Sequence, residues 1–463
     1  MVTSQLGRMV RYVRSRRTSQ GSDAALSVNP DLPDNDLRRL RRIIDEAIGA
    51  RGGEMAARRN AGSVAATFLN LNPQGRQRFF ELLVTDYGHD ASLVDAAAGA
   101  LAQAGSPSDR HQAENDLRSA LSARRVHLFR RFAGLDDGPA LLVSLREDLL
   151  GRLADAPELR DLDHDLKRIL EGWFDVSLLT LERLTWDSPA SLLEKLIDYE
   201  AVHAIESWDD LKGRLAPDRR LYAFLHPAMP NDPLIFVEVA LTAGISRSLT
   251  PVLDHDRDQV DPDKADSAIF YSISNCHRGL AGVTLGDLLI KSVVELVSTE
   301  FPSVKQFATL SPLPGFRRWL EAQIVDGSFV PNEGIQVDLG PDQNITSEQL
   351  ADLISGPLPP DGDQGLEAAR TSLTQLGSHY LANARRGPRA LDPVAHFHLS
   401  NGARIEQLNW WANPSAAGWE RGLAMMVNYQ YHLKNIEQNH DRYLIDGEVT
   451  VADGVLKMVG YQG

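Results

Sequence analysis

Residues 268–291 read AIFYSISNCHRGLAGVTLGDLLIK, and the change of pattern halfway along them sets the fold. Ala268 to Ser274 is apolar and β-prone, with Ile269, Tyr271 and Ile273 alternating against Phe270 and Ser272. Gly279, Gly282 and Gly286 then interrupt. From Leu285 the apolar residues fall at helical spacing, through Leu288, Leu289, Val293 and Leu296. The stretch is therefore a strand, a glycine-bearing turn and a helix. A helix start after such a turn offers unpaired backbone N–H groups and partial positive charge, which suits a phosphate. An ordinary βα turn, its glycines serving geometry alone, has the same pattern; neither GxGxxG nor GxxxxGK[ST] is present.

Upstream the pattern is helical. Leu37, Leu40, Ile44 and Ile48 form one apolar face behind a cap at Asp34 or Asn35. Further helices are expected around Phe68, over Phe79–Tyr87, Leu93–Ala104, Asp109–Leu121, Leu128–Phe132, Leu141–Leu153 and Leu162–Trp173, which pack as a bundle. The pairs Arg38-Arg39, Arg41-Arg42 and Arg130-Arg131 read as solvated faces. Near Trp173 strands appear among the helices: Leu221–Leu225, Leu234–Leu241, Ala268–Ser274, Gln306–Leu310 and Ala403–Asn409. Trp419–Leu433 reads as a helix carrying Met425, Met426, Tyr429 and Tyr431, the methionines as core filler. The expected fold is a two-domain α+β chain. Residues 1–22 form a basic, disordered N-terminus, residues 23–174 a helical assembly domain and residues 175–463 an α/β domain.

A chain of 463 residues has room for two or three domains and ample core. Its net charge of −15 argues against nucleic acid as a partner. The single cysteine, Cys276, rules out an intrachain disulfide and a cysteine zinc site. No run of eighteen apolar residues suggests a membrane span. The five arginines of the first 22 residues fit a basic tail or a transit peptide, the chain being cytoplasmic in the first case and mitochondrial in the second. Asp254–Asp266 is rich in aspartate but lacks the Gly and Glu of a calcium loop, so it reads as a solvated connection.

Two stretches hold candidate chemistry. After Gln306–Leu310 comes Ser311-Pro312-Leu313-Pro314-Gly315-Phe316, whose two prolines demand a sharp turn at the strand end. Ser311 would sit at that turn, as a turn residue or, since sites form at strand ends in α/β sheets, as a functional one. Later, Asp392-Pro393 followed by Gly402 frames a short helix over His396 and His398, with Asp392 as N-cap. A helix places these histidines on different faces, and only a hairpin would let them share a metal.

Several segments together resemble malonyl-CoA decarboxylases: LERLTWDSP (181–189), EAVHAIESWDDLKGRL (200–215), residues 268–291, FATLSPLPGF (307–316), DPVAHFHLSNGA (392–403) and VNYQYHL (427–433). The resemblance covers roughly the last 290 residues, and the helical part more loosely. It implies a helical domain joined to a catalytic domain of N-acetyltransferase (GNAT) fold, a homo-oligomer (dimer or tetramer), and decarboxylation of malonyl-CoA to acetyl-CoA and CO₂. Under it Ser311 and His398 are the catalytic pair. Ala281, Gly282, Val283, Thr284, Leu285, Gly286 and Asp287 form the malonyl-CoA loop, and Tyr431 contacts the substrate. No metal and no cofactor are implied, coenzyme A being part of the substrate. The family commonly has a glutamate where this chain has Thr284. A CoA-dependent acyltransferase and a non-catalytic CoA sensor are the rival readings. Arg278 and Lys291 are open between phosphate partners and surface charges.

Overall fold

The computed structural model describes residues 25–50, 52–283, 286–325, 328–329 and 347–458. The basic N-terminus expected to be disordered lies outside the described residues, as do Thr284 and Leu285. The chain divides into two compact units. The first is residues 1–180 together with 225–234 and 276–285; the second is the remainder.

The first unit is helical: α1 (Asp34–Ile48), α2 (Glu54–Asn70), α3 (Pro73–Thr85), α4 (Ala91–Gln103), α5 (Pro107–Ala120), α6 (Arg124–Ala133), α7 (Gly138–Leu150) and α8 (Arg160–Trp173). Its core gathers the apolar faces read from the sequence, among them Leu40, Ile44, Leu128, Leu142, Leu162 and Leu166. Phe68, Phe79 and Phe80 pack within it, their rings tilted or edge-on with centroids 5.1–6.1 Å apart. Local chemistry sets the helix starts. The Asn72 side chain accepts the Gly75 N–H, and Pro73 follows at the first helical position. For α1 the expected cap is corrected: Pro33 is the N-cap, and Asp34 and Asp36 lie inside the first turn, where their charge meets the positive helix end. Not every arginine of this unit is solvated. Arg125 is buried against Asp165 at 2.7 Å, and Arg146 against Asp163 at 2.7 Å.

The second unit is built on an eight-stranded sheet: β1 (Thr180–Leu184), β2 (Arg219–Leu225), β3 (Ile235–Thr242), β4 (Ser267–Asn275), β5 (Gln306–Thr309), β6 (Ser311–Pro312), β7 (Arg404–Asn409) and β8 (Met426–Gln430). The strand order is β1-β2-β3-β4-β5-β8-β7, with β6 also paired to β8. β4 and β5 run parallel, linked by the helix α9 (Gly286–Glu300), while β3 and β8 flank them antiparallel. Helices accompany this mixed sheet, so the expected α+β architecture, a helical unit followed by an α/β unit, is present. The strands of the central region are buried on both faces.

Two expectations fail here. Residues 419–433 are not one helix. A helix over Ala416–Gly422 ends on two left-handed residues, Leu423 (φ 53°) and Ala424 (φ 59°), and β8 follows. Burial on both faces explains the misreading: a run with no polar face shows neither a period of two nor one of 3.6. Nor does the chain turn at Ser311. Leu310 still donates its N–H to Phe270 O, and Ser311 and Pro312 then pair with Val427 and Met426 of β8. Pro312 is tolerated because it is the last residue of its strand, where the missing donor breaks no continuing ladder. The aspartate-rich Asp254–Asp266 stretch is largely exposed, as expected of a solvated connection.

Candidate active site

β4 and β5 pair only from Ser267↔Gln306 to Phe270↔Thr309. Beyond that point they part. β4 continues to Asn275 alongside β3, while the other chain crosses to β8 as β6. Ser311 stands at this fork. A bulge sits beside it: Val239 faces Phe270 and Glu238 faces Ser272, so Tyr271 has no opposite residue. Across the fork lies the helix α10 (Pro393–Ser400), capped as expected by Asp392, whose side chain accepts the N–H groups of Val394 and Ala395.

That helix carries His398 to the serine. His398 Nε2 lies 3.1 Å from Ser311 Oγ, and Nδ1 lies 2.8 Å from the Tyr431 hydroxyl. Ser311 Oγ also donates to Thr309 Oγ1 at 2.9 Å. The His398 ring stacks on Tyr429 with centroids 4.6 Å apart. His398 is 3 % exposed, and this burial pushes its pKa from the ordinary histidine value down to about 3, so the imidazole is neutral. His396, two residues earlier, bonds Tyr443 instead, Nδ1 to hydroxyl at 2.8 Å. The two histidines serve different partners on different faces, as a helix requires.

Ser311 and His398 open into a cavity of about 260 Å³ whose walls include Val202, Phe270, Ser272 and Pro393. Tyr271 to Asn275 of β4 face β3 on one side and have left β5 on the other. Sequence reasoning missed what holds this wall. The Glu200 carboxylate accepts from the hydroxyls of Ser272 (2.8 Å) and Ser274 (3.0 Å) and from the N–H groups of Val202 and His203. Glu238, buried beneath, pairs with Arg214 at 3.0 Å; burial drives its carboxyl up to about 7 against the pull of that guanidinium. Both acids lie in or beside segments already singled out, but nothing in their spacing marks them as neighbours.

Of the loop expected to bind substrate, residues 281–285 belong to the helical unit, and Gly286 and Asp287 to the second. Arg146 Nη1 donates to the carbonyls of Gly279 and Ala281, both at 2.8 Å. Gly279 is needed for packing: a Cβ there would stand 2.0 Å from Val143 O. Gly282 has φ +74° and is exposed, as is Ala281, while Val283 is buried. Gly286 and Asp287 begin α9. Arg278 is exposed beside Arg152 in a cleft of the helical unit, and Lys291 is half-buried.

By fold and site this is a two-domain α+β enzyme, a helical bundle joined to a mixed-sheet domain with a buried serine–histidine pair. Comparison with known proteins places it further. Residues 177–462 match the family described as Malonyl-CoA decarboxylase C-terminal domain, and residues 87–174 the Malonyl-CoA decarboxylase N-terminal domain. The chain is 35% identical over 402 residues to the mitochondrial malonyl-CoA decarboxylase of Anser anser anser, covering 83% of this chain and 80% of that one. Crystal structures of malonyl-CoA decarboxylases from Rhodopseudomonas palustris and Agrobacterium vitis are each 36% identical to it. They superpose with TM-scores of 0.82 and 0.83, covering 91% of this chain and 99% and 100% of theirs. The chain belongs to the malonyl-CoA decarboxylase family, and it is a carboxy-lyase. Among the described residues no helix is long and apolar enough to cross a membrane.

Proposed function

We propose that this chain converts malonyl-CoA to acetyl-CoA and CO₂, with Ser311 and His398 as the catalytic pair. The observation that carries the reading is the 3.1 Å approach of two side chains 87 residues apart, both buried, in the lining of one cavity. Family membership supplies the substrate. Loss of CO₂ leaves the bonding pair on the α-carbon, and the thioester carbonyl takes it up as an enolate; one proton then goes to carbon. The net reaction consumes one proton and needs no electron acceptor beyond the thioester.

What this asks of the protein is a donor for the developing oxyanion, a proton, and a dry, fixed geometry. Ser311 would hold the thioester oxygen or the carboxylate, and the Ser311–His398 couple would deliver the proton. A neutral imidazole suffices, since a thioester enolate is a strong carbon base. Tyr431, bonded to Nδ1, orients the ring. The strand edge that β4 exposes beyond Phe270 suits the two amides of the pantetheine arm, which can pair with it as a strand would. For the diphosphate, residues 281–287 at the start of α9 are the candidates. We read the reaction as metal-independent, the chain as cytoplasmic and the enzyme as a homo-oligomer, dimer or tetramer.

Malonyl-CoA alone, with no acyl acceptor, tests the reading. Release of acetyl-CoA and CO₂, lost in H398N but not on adding EDTA, is the expected result. A requirement for an amine or hydroxyl acceptor would point to an acyltransferase, and tight binding without turnover to a CoA sensor. Activity lost to EDTA and restored by zinc would overturn metal independence. A malonyl or acetyl adduct on Ser311 in the intact mass after quenching would replace the direct route with an acyl-enzyme.

A further inference from the structure

We propose that Thr309 is a positioning residue that decides which nitrogen of His398 carries the proton, by claiming the hydroxyl hydrogen of Ser311. The inference rests on the reading of Ser311 and His398 as the reacting pair.

Thr309 ends β5 and is fully buried. It lies two residues before Ser311 in extended chain, so the two side chains share a face. Its Oγ1 receives two donors. One is the Tyr429 N–H at 3.1 Å, whose direction the backbone of β8 fixes. The other is the Ser311 hydroxyl at 2.9 Å. A hydroxyl oxygen has two lone pairs, and both are used. β-branching holds the Thr309 rotamer, so this acceptor does not swing away.

The consequence passes along the chain of bonds. In the resting site, before a substrate oxygen takes its hydrogen, Ser311 gives that hydrogen to Thr309 and faces His398 only with a lone pair. The 3.1 Å contact to Nε2 is then a hydrogen bond only if Nε2 is the donor. A neutral imidazole has one N–H, so Nδ1 is bare and accepts from the Tyr431 hydroxyl 2.8 Å away. Every donor points the same way, from Tyr431 through His398 and Ser311 to Thr309. The proton therefore rests on the nitrogen beside Ser311, on the side of the cavity, and not on the nitrogen that faces Tyr431. Without the Thr309 hydroxyl, the partner that remains for the Ser311 hydroxyl among the described residues that bond it is Nε2 itself. The Ser311 hydrogen turns there, and His398 must move its own proton to Nδ1.

The test uses the full chain labelled with ¹⁵N-histidine, the resonances of His398 being assigned by their loss in H398N. In the wild type we expect Nε2 protonated and Nδ1 bare. In T309V the tautomer shifts toward Nδ1–H, and kcat falls about tenfold with KM changed less than about twofold. T309S keeps the hydroxyl and restores both the tautomer and kcat. A wild-type His398 protonated on Nδ1 would overturn the proposal. So would a T309V enzyme that loses turnover with its tautomer unchanged, since that loss would be merely structural. The catalytic reading fails separately: full turnover in S311A and H398N would remove the reacting pair, whatever the tautomer shows.

Discussion

Replacing Ser311 with alanine removes one oxygen and two contacts, and the structure separates their effects. Catalysis loses the group placed to meet developing charge in the cavity. One such donor is typically worth ~3 kcal/mol, so kcat should fall about a hundredfold or more. Stability loses less. Once Oγ is gone, His398 Nε2 keeps no partner at a site that is 3 % exposed. An unsatisfied buried polar atom costs ~1–3 kcal/mol, and Thr309 still holds the Tyr429 amide. Midpoint denaturation should therefore shift modestly, while acetyl-CoA release, followed continuously under saturating malonyl-CoA, should nearly cease. Affinity for CoA should persist, because the β4 edge and residues 281–287 are untouched. A variant that folds, binds CoA and turns over within about threefold of the wild type would refute the argument.

Three further outcomes follow from the geometry. His398 has a folded pKa of about 3 against an ordinary value of 6.5, so the unfolded chain binds the extra proton first. Its contribution is complete above pH 6.5 and declines as pH falls toward 3, at ~1.4 kcal/mol for each unit of separation; H398N should flatten the acid side of the stability curve, measured by urea unfolding at stepped pH. Gly279→Ala places a Cβ 2.0 Å from Val143 O, and either α7 or the 276–283 loop must shift; a reduced thermal midpoint is expected, and an unchanged one would show that the packing there is loose. Arg214→Ala strips the counter-charge from the wholly buried Glu238 and should cost ~3–5 kcal/mol. Glu238→Gln, which removes the acid itself at a carboxyl already raised to about 7, should cost less than Arg214→Ala in chemical denaturation.

How much of this was legible beforehand depends on the range of the interaction concerned. Short-range chemistry was readable: Asp392-Pro393 announces a helix start and the alternation over 268–274 a strand, because caps and periodicity act within a few residues. Ser311 and His398 were also named from their motifs, though not as neighbours with a measured approach. The run after Trp419 was misread because burial on both faces erases the periodic signal, and the left-handed pair Leu423–Ala424 that ends its helix carries no local signature such as glycine.

The sequence by itself determined the bundle, five of the eight sheet strands, the helix that carries His398, and the segments shared with one enzyme family. Tertiary structure alone decided that β5 leaves β4 at Phe270, that Thr309, Ser311, His398 and Tyr431 fall into one line of hydrogen bonds, and that this histidine is neutral. The reason is physical. Propensity, capping and alternation depend on neighbours along the chain, whereas desolvation and hydrogen-bond direction depend on whatever folding brings within about 3 Å.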